Sequence, residues 1–187
     1  MSKTRILGIC GSLRTGSVNR AALETAASLA PDSMTIALWN RLGEVPLYND
    51  DVREKGFPPV VAELAEAIRA ADGVLIASPE YNYSIPGVLK NAIDWVSRVE
   101  NQPFAGKPVA LMGASPGAIG TARGQYHLRQ SFVFLDGLVM NKPEVMIGGA
   151  YDKVKDGKLV HEDTRRFIAD KFLPAFARWI AAHGDAA

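Results

Sequence analysis

At 187 residues, the chain has the length of one domain with a single substantial hydrophobic core. Its apolar fraction of 48% and charged fraction of 22% are ordinary for a globular protein and exclude wholesale disorder. The formal net charge is +1 and no block of like charges occurs, so the charge pattern indicates neither a nucleic-acid partner nor an anionic membrane.

The first predicted element is a strand over the apolar run Ile6 to Cys10, of the kind that lies buried on both faces of a parallel sheet. The N-terminus enters this strand without the apolar core of a signal peptide, and no segment approaches the length of a membrane span. We therefore expect a cytoplasmic protein. Cys10 is the single cysteine, and we interpret it as a buried small side chain rather than a reactive thiol.

Helical and strand patterns then alternate along the chain. They predict a helix over 17–30, a strand over 34–39, a helix from Pro58 or Pro59 to Asp72-Gly73, a strand over 74–77, a helix over 86–99, a strand over 108–113, a helix over 122–137, a strand over 144–147, a tight turn or small hairpin at 155–158 and a last helix over 162–182. Five strands, each followed by a helix, predict one α/β domain over 1–187 with a five-stranded parallel sheet and helices on both faces.

The loop after the first strand, 11–19, has two glycines and leads into a helix N-terminus. Backbone N–H groups and the helix dipole there favour an anion such as phosphate. Further hydrogen bonds can come from Ser12, Arg14, Thr15, Ser17 and Asn19. The loop has neither the Gly-Lys-Ser/Thr of a Walker A motif nor a Gly-x-Gly-x-x-Gly turn. It suits a terminal phosphomonoester such as that of FMN, and a capped turn without a ligand is the alternative.

The loop after the third strand, 78–87, holds two tyrosines and an asparagine between prolines. A planar ring system needs flat apolar contacts for its faces, which Tyr81 and Tyr83 can supply, and polar groups for its edge, which Asn82 and loop amides can supply. The alternative is a pair of tyrosines at a loop surface or subunit interface, and both interpretations can hold.

A third loop rich in small residues, 114–121, follows the fourth strand. It lets the backbone approach a flat ligand closely, although a flexible crossover explains it equally well. In a sheet of order 2-1-3-4-5 the order reverses between strands one and three, and ligands bind beyond the carboxyl ends of the strands there. The three loops therefore predict one site at one edge of the sheet.

At these loops the chain resembles the NAD(P)H-dependent FMN reductase family, in particular its bacterial quinone and chromate reductase branch. The resemblance is carried by Gly11-Ser12-Leu13-Arg14 with Ser17 and Asn19, by SPEYNYSIPGVLKNAIDW over 78–95, and by 126–130, 134–136 and 140–144. It implies a flavodoxin-like three-layer sandwich with non-covalent FMN. It also implies two-electron reduction of quinones, chromate, azo compounds or free flavin by NADPH or NADH, and a homodimer or homotetramer.

Carried over residue by residue, the resemblance implies three groups of FMN-binding residues. The phosphate would be held by Ser12, Arg14, Ser17 and Asn19, the isoalloxazine ring lined by Pro79, Glu80, Tyr81, Asn82 and Tyr83, and its far edge flanked by Ser115 and Gly117. Because a flavin carries the redox chemistry itself, we expect no catalytic acid or base. The expected cycle is ping-pong: NAD(P)H reduces FMN and leaves before a small-molecule acceptor takes the electrons.

Two other protein classes fit the same order of elements less well. A receiver domain needs a carboxylate cluster at the end of strand one, where this chain has Cys10-Gly11-Ser12. A flavodoxin-type electron carrier would bind FMN without oxidising NAD(P)H, and is expected to be acidic for docking, which this chain is not. The carrier stays as the alternative function. None of the three histidines has partners at metal-ligand spacing, so we expect no metal site.

Overall fold

The computed structural model describes residues 3–184. Within them the strands are β1 Thr4–Cys10, β2 Met34–Trp39, β3 Gly73–Ala77, β4 Pro108–Ala114, β5 Leu138–Val139, β6 Val145–Ile147, β7 Val154–Lys155 and β8 Lys158–Leu159. The helices are α1 Val18–Ser28, α2 Asp50–Arg53, α3 Pro59–Ala70, α4 Gly87–Val96, α5 Ala122–Phe134, α6 Ala150–Lys153, α7 Glu162–Phe167 and α8 Leu173–His183.

Strands β1 to β6 form one parallel sheet in the order β2-β1-β3-β4-β5, with β6 also paired to β4. The predicted order and parallel pairing are confirmed. The sequence predicts a single fifth strand, whereas the structure has two short strands at this position of the sheet. β5 pairs with the beginning of β4, and β6 pairs with its end. Between them Pro143 has no N–H to donate to the ladder, and the two apolar residues of β5 are too few to give a periodic signal.

Helices cover both faces of this sheet, as predicted. Side chains of α1 and α8 pack on one face with Ile6 and Cys10, whereas α3, α4 and α5 pack on the other face with Leu7 and Ile9. The alternation along β1 follows the two-residue period of a strand. The three-layer sandwich of the flavodoxin-like fold is thereby confirmed. The interpretation of 1–187 as one domain stays a prediction, which the continuous sheet supports.

The connections show where local sequence patterns were sufficient. Val154–Lys155 and Lys158–Leu159 pair as the predicted small hairpin, with positive φ angles at Asp156 and Gly157 in its turn. The last predicted helix is instead α7, a π-helical turn over Ile168–Phe172 and α8. Within residues 3–184, no helix is both long and apolar enough to cross a membrane.

The end of β4 passes very close to the neighbouring loops at Gly113. A Cβ atom at this position would lie 2.6 Å from the carbonyl oxygen of Ser78 and would collide with the side chain of Thr121. Gly113→Ala should therefore lower the free energy of unfolding by about 2 kcal/mol or more, measured by urea denaturation. Gly87→Ala is the control, because no atom lies within 4 Å of its added Cβ, and it should leave stability unchanged or slightly raised. Equal effects of the two variants would contradict this account.

Candidate active site

The three predicted loops meet in one cleft beyond the carboxyl ends of β1, β3 and β4. The cleft is lined by Ser12, Arg14, Ser17, Val18, Asn19, Pro79, Glu80, Tyr81, Ala114, Ser115, Pro116 and Tyr151. The structure thus brings together most of the predicted site residues. Asn82, Tyr83 and Gly117 lie in the same loops but do not line this cleft.

The phosphate loop, which we define as residues 11–19, contains several backbone N–H groups that donate to no protein acceptor within residues 3–184. Ser17 is the N-cap of α1 and its Oγ accepts from the N–H of Arg20 at 3.2 Å, while the Oγ of Ser12 accepts from the N–H of Arg14 at 3.3 Å. Within residues 3–184, no protein acceptor pairs with the amides of Ser12, Leu13, Thr15, Gly16, Val18 and Asn19. No carboxylate occurs in the loop, so these donors and the helix dipole make an anion cradle.

The side chain of Cys10 contacts two residues of the phosphate loop. Its Sγ lies 3.8 Å from the carbonyl oxygen of Ser12 and 3.9 Å from the Oγ of Ser17, and the residue is 4% exposed. Burial raises the pKa of this thiol, which keeps it protonated. The predicted burial of Cys10 is confirmed, and its low reactivity stays a prediction.

Asn19 is buried between the phosphate loop and the end of β4. Its Nδ2 donates to the carbonyl oxygen of Ala114 at 2.9 Å, and its Oδ1 accepts from the N–H of Ala114 at 2.8 Å. The side-chain amide therefore contacts the backbone of the third loop, although it also borders the cleft.

The loop after β3 closes as a tight turn in which Tyr81 and Ser84 exchange two backbone hydrogen bonds of 3.1 and 3.0 Å. Its central residues, Asn82 and Tyr83, both have positive φ, at 50° and 68°. That backbone is strained for an aromatic residue. The ring of Tyr83 is contacted by the guanidinium of Arg123, whose central carbon lies 3.4 Å from the ring centroid.

Glu80 links this turn to the beginning of α5, because both of its carboxylate oxygens accept hydrogen bonds there. One carboxylate oxygen accepts from the Nε of Arg123 and the other from the backbone N–H of Gly124, both at 3.0 Å. Thr121, the N-cap residue of α5, makes no capping bond with its own side chain, so Glu80 provides an acceptor for the helix. Glu80 thus has a structural role at α5, and its place at the flavin ring stays a prediction, which its position at the border of the cleft supports.

The loop after β4 is held against the segment after β6. The N–H of Ser115 donates to Ile147 O and its carbonyl accepts from the N–H of Ala150, both at 3.0 Å. The Oγ of Ser115 donates to the carbonyl of Gly117 at 3.2 Å, and that same carbonyl accepts from the N–H of Gly149. These bonds fix Ser115 at the cleft and direct Gly117 towards the neighbouring segment.

Tyr151 lines the cleft but was not among the predicted site residues. Its phenolic oxygen accepts a 3.1 Å hydrogen bond from the Nη1 of Arg14, and the Arg14 guanidinium lies 5.9 Å from its ring centroid. Tyr151 follows the fifth position of the sheet by a few residues. Applying the carboxyl-edge rule to that last strand, as to the first, third and fourth, would have found it.

The cleft thus has the two ends that a flavin mononucleotide requires. Unpaired amides, serine hydroxyls and Arg14 suit a phosphate, and Pro79, Tyr81 and Pro116 offer flat apolar surface for a ring. Within residues 3–184, no group of three or more His, Cys, Asp or Glu side chains is placed to hold a metal ion.

Comparison with known proteins identifies the family. The model of the NADPH-dependent FMN reductase family matches residues 4–152. The chain belongs to this family. It is 54% identical to an NAD(P)H-dependent FMN reductase of Pseudomonas aeruginosa over 94% of this chain and 95% of that protein. It is 49% identical to a quinone reductase of Escherichia coli K12, over 95% and 96% of the two chains.

A solved structure shows the same relationship. FerB, a flavoenzyme NAD(P)H:(acceptor) oxidoreductase from Paracoccus denitrificans, is similar with a TM-score of 0.85 at 36% identity, over 96% of this chain and 98% of that one. The predicted family, cofactor and enzyme class are confirmed. As a member of the NADPH-dependent FMN reductase family, the protein is an FMN-dependent oxidoreductase that uses NAD(P)H and acts on a small-molecule acceptor.

The buried position and raised pKa of Cys10 predict slow alkylation of the native protein. Iodoacetamide reacts with thiolate, so at pH about 8.5, where an ordinary thiol is half ionised, Cys10 should react more than about tenfold slower than in urea-unfolded protein. Mass spectrometry over time measures the reaction, and the unfolded chain is the control. Equal rates in the two states would contradict the burial.

Proposed function

We propose that FMN binds in this cleft and that the protein passes two electrons from NAD(P)H to quinones, with chromate, azo compounds and free flavin as further acceptors. The observation that carries the proposal is the cleft itself, in which three loops join an anion cradle to flat apolar walls at the reversal of the sheet order. The E. coli quinone reductase, 49% identical to this chain, supports quinones as the acceptor class.

Ser12, Arg14 and Ser17 would hold the phosphate together with the unpaired amides of the phosphate loop. Backbone amides supply fixed partial charges, and Arg14 adds the one full positive charge of this loop. The bond from Arg14 to Tyr151 orients the guanidinium at the edge of the cleft. Tyr151 is therefore a further residue that we assign to the phosphate end.

Pro79, Tyr81 and Ser115 would contact the ring, since all three line the cleft beyond the phosphate loop. Asn82 and Tyr83 would contribute through the turn that they form, which sets the position of Tyr81. Bound FMN would supply the redox chemistry, which is hydride acceptance from NAD(P)H and transfer of two electrons to the acceptor. The residues of the chain bind and orient it, and none is needed as an acid or base.

The proposed cycle is ping-pong, with NAD(P)H and the acceptor using the same open face of the site in turn. We also propose that the protein forms a homodimer or homotetramer. Supporting this, α5 exposes large apolar side chains, with Val133 81% and Phe134 87% accessible. The cytoplasmic location stays a prediction from the sequence.

The decisive experiment is to purify the protein, load it with FMN and add NADPH or NADH without oxygen. We expect a yellow protein that bleaches and regains its colour on adding a benzoquinone. Initial rates with both substrates varied should give parallel double-reciprocal lines. Bound FMN that NAD(P)H cannot reduce would favour the electron carrier, converging lines would contradict the ping-pong cycle, and a protein that binds no FMN would overturn the proposal.

Tyr151→Phe tests the phosphate end. Loss of the hydroxyl removes the acceptor that orients Arg14, so FMN should bind about three- to tenfold more weakly, while riboflavin, which has no phosphate, should bind as before. Fluorescence titration of the apoprotein measures both. Tyr48→Phe is the matched control, because its hydroxyl bonds to Asp50 away from the cleft, and it should change neither affinity. A Tyr151→Phe variant with unchanged FMN affinity would remove Tyr151 from the site.

A further inference from the structure

We propose that Asn19 is a positioning residue that sets the distance between the two ends of the flavin site. Its side chain holds the end of β4, and with it the loop that begins at Ser115, against the phosphate loop. The proposal rests on the flavin site proposed above. It assigns Asn19 a positioning role in place of the direct phosphate contact that the family resemblance implies.

Two hydrogen bonds join the side chain of Asn19 to the backbone of Ala114. The N–H of Ala114 can only donate, at 2.8 Å to Oδ1, and its carbonyl can only accept, at 2.9 Å from Nδ2. The orientation of the side-chain amide is thereby assigned without ambiguity. Asn19 is 2% exposed and Ala114 is 2% exposed, so water does not compete for these bonds.

Ala114 is the last residue of β4. Successive residues of a strand direct their N–H and C=O groups to opposite neighbours. Met112 O accepts from Ser78 N on the side of β3, and Ser115 N donates to Ile147 on the side of β6. Ala114 therefore faces the side of β3, but β3 ends at Ala77, which is opposite Met112, so the strand stops two positions short of Ala114.

The side-chain amide of Asn19 takes the place of the backbone groups that a longer β3 would present to Ala114. It offers one donor and one acceptor, which in a parallel ladder would come from two successive peptide groups, and it does so from the N-terminal turn of α1. Without it, two buried backbone groups at the end of β4 would have no partner, and this end would have to move to reach water.

Both ends of the site depend on Asn19. The backbone of Asn19 belongs to the anion cradle, two residues after the N-cap Ser17. The chain beyond Ala114 supplies Ser115 and Pro116, which line the other end of the cleft. A shift of the end of β4 would therefore disturb contacts to the flavin ring and not only to its phosphate.

Riboflavin separates this role from direct contact with the phosphate. Asn19→Ala should weaken FMN and riboflavin alike, each by about tenfold, with the ratio of the two dissociation constants unchanged within about twofold. At saturating FMN, the visible circular dichroism of the bound flavin should also change, because its surroundings have moved. Arg14→Gln gives the contrasting pattern, with FMN weakened and riboflavin unaffected.

Gln102→Ala is the matched control for a general loss of stability. The Gln102 side chain also donates one hydrogen bond to the backbone and accepts one from it: its Nε2 donates to Leu135 O at 2.8 Å, and its Oε1 accepts from Phe104 N at 3.0 Å. These bonds lie in the segment before β4, at the end of that strand opposite to Ala114. Gln102→Ala should lower the urea midpoint without changing flavin affinity or the flavin spectrum.

The outcomes are distinct. If Asn19→Ala weakens FMN alone, Asn19 is a phosphate ligand and the proposal is overturned. If Gln102→Ala affects flavin binding as much as Asn19→Ala does, the effect is general instability and the proposal is overturned as well. A wild-type protein that binds neither flavin would instead overturn the proposed function, which is a separate result.

Discussion

The reversal of strand order at β1 is the constraint on which the site depends. β1 lies between β2 and β3, so the chain leaves it in one direction through α1 and returns on its other side after α3. The two helices consequently cover opposite faces of the sheet, and a crevice opens between the loops at its carboxyl edge. Every group that we assign to the flavin borders this crevice or belongs to a loop that forms it.

Much of the site is made of backbone rather than of reactive side chains. The phosphate loop presents unpaired amides, and close approaches at Gly113 and Gly120 leave no space for a Cβ atom between the third loop and its neighbours. The positive φ of Tyr83 stores strain of order 1–3 kcal/mol, which the contact of Arg123 with the Tyr83 ring offsets in part. Such a rigid frame suits a protein whose task is to orient a cofactor.

Several side chains therefore act at the site through another element. Glu80 completes the N-terminus of α5, Asn19 completes the ladder of β4, and Tyr151 orients Arg14. In each case a polar side chain borders the cleft and at the same time satisfies or directs a group of a distant segment.

The sequence by itself determined the order of strands and helices, the three loops, the family and most of the cleft residues. These follow from local patterns: apolar periodicity, proline and glycine boundaries, and a glycine-containing loop before a helix. Only the tertiary structure decided that the fifth position of the sheet is divided between β5 and β6, that Asn19 pairs with Ala114, and that Tyr151 meets Arg14. The last two pairs join residues 95 and 137 positions apart, and their contact depends on how the crossovers bring strand ends together, which no local pattern encodes.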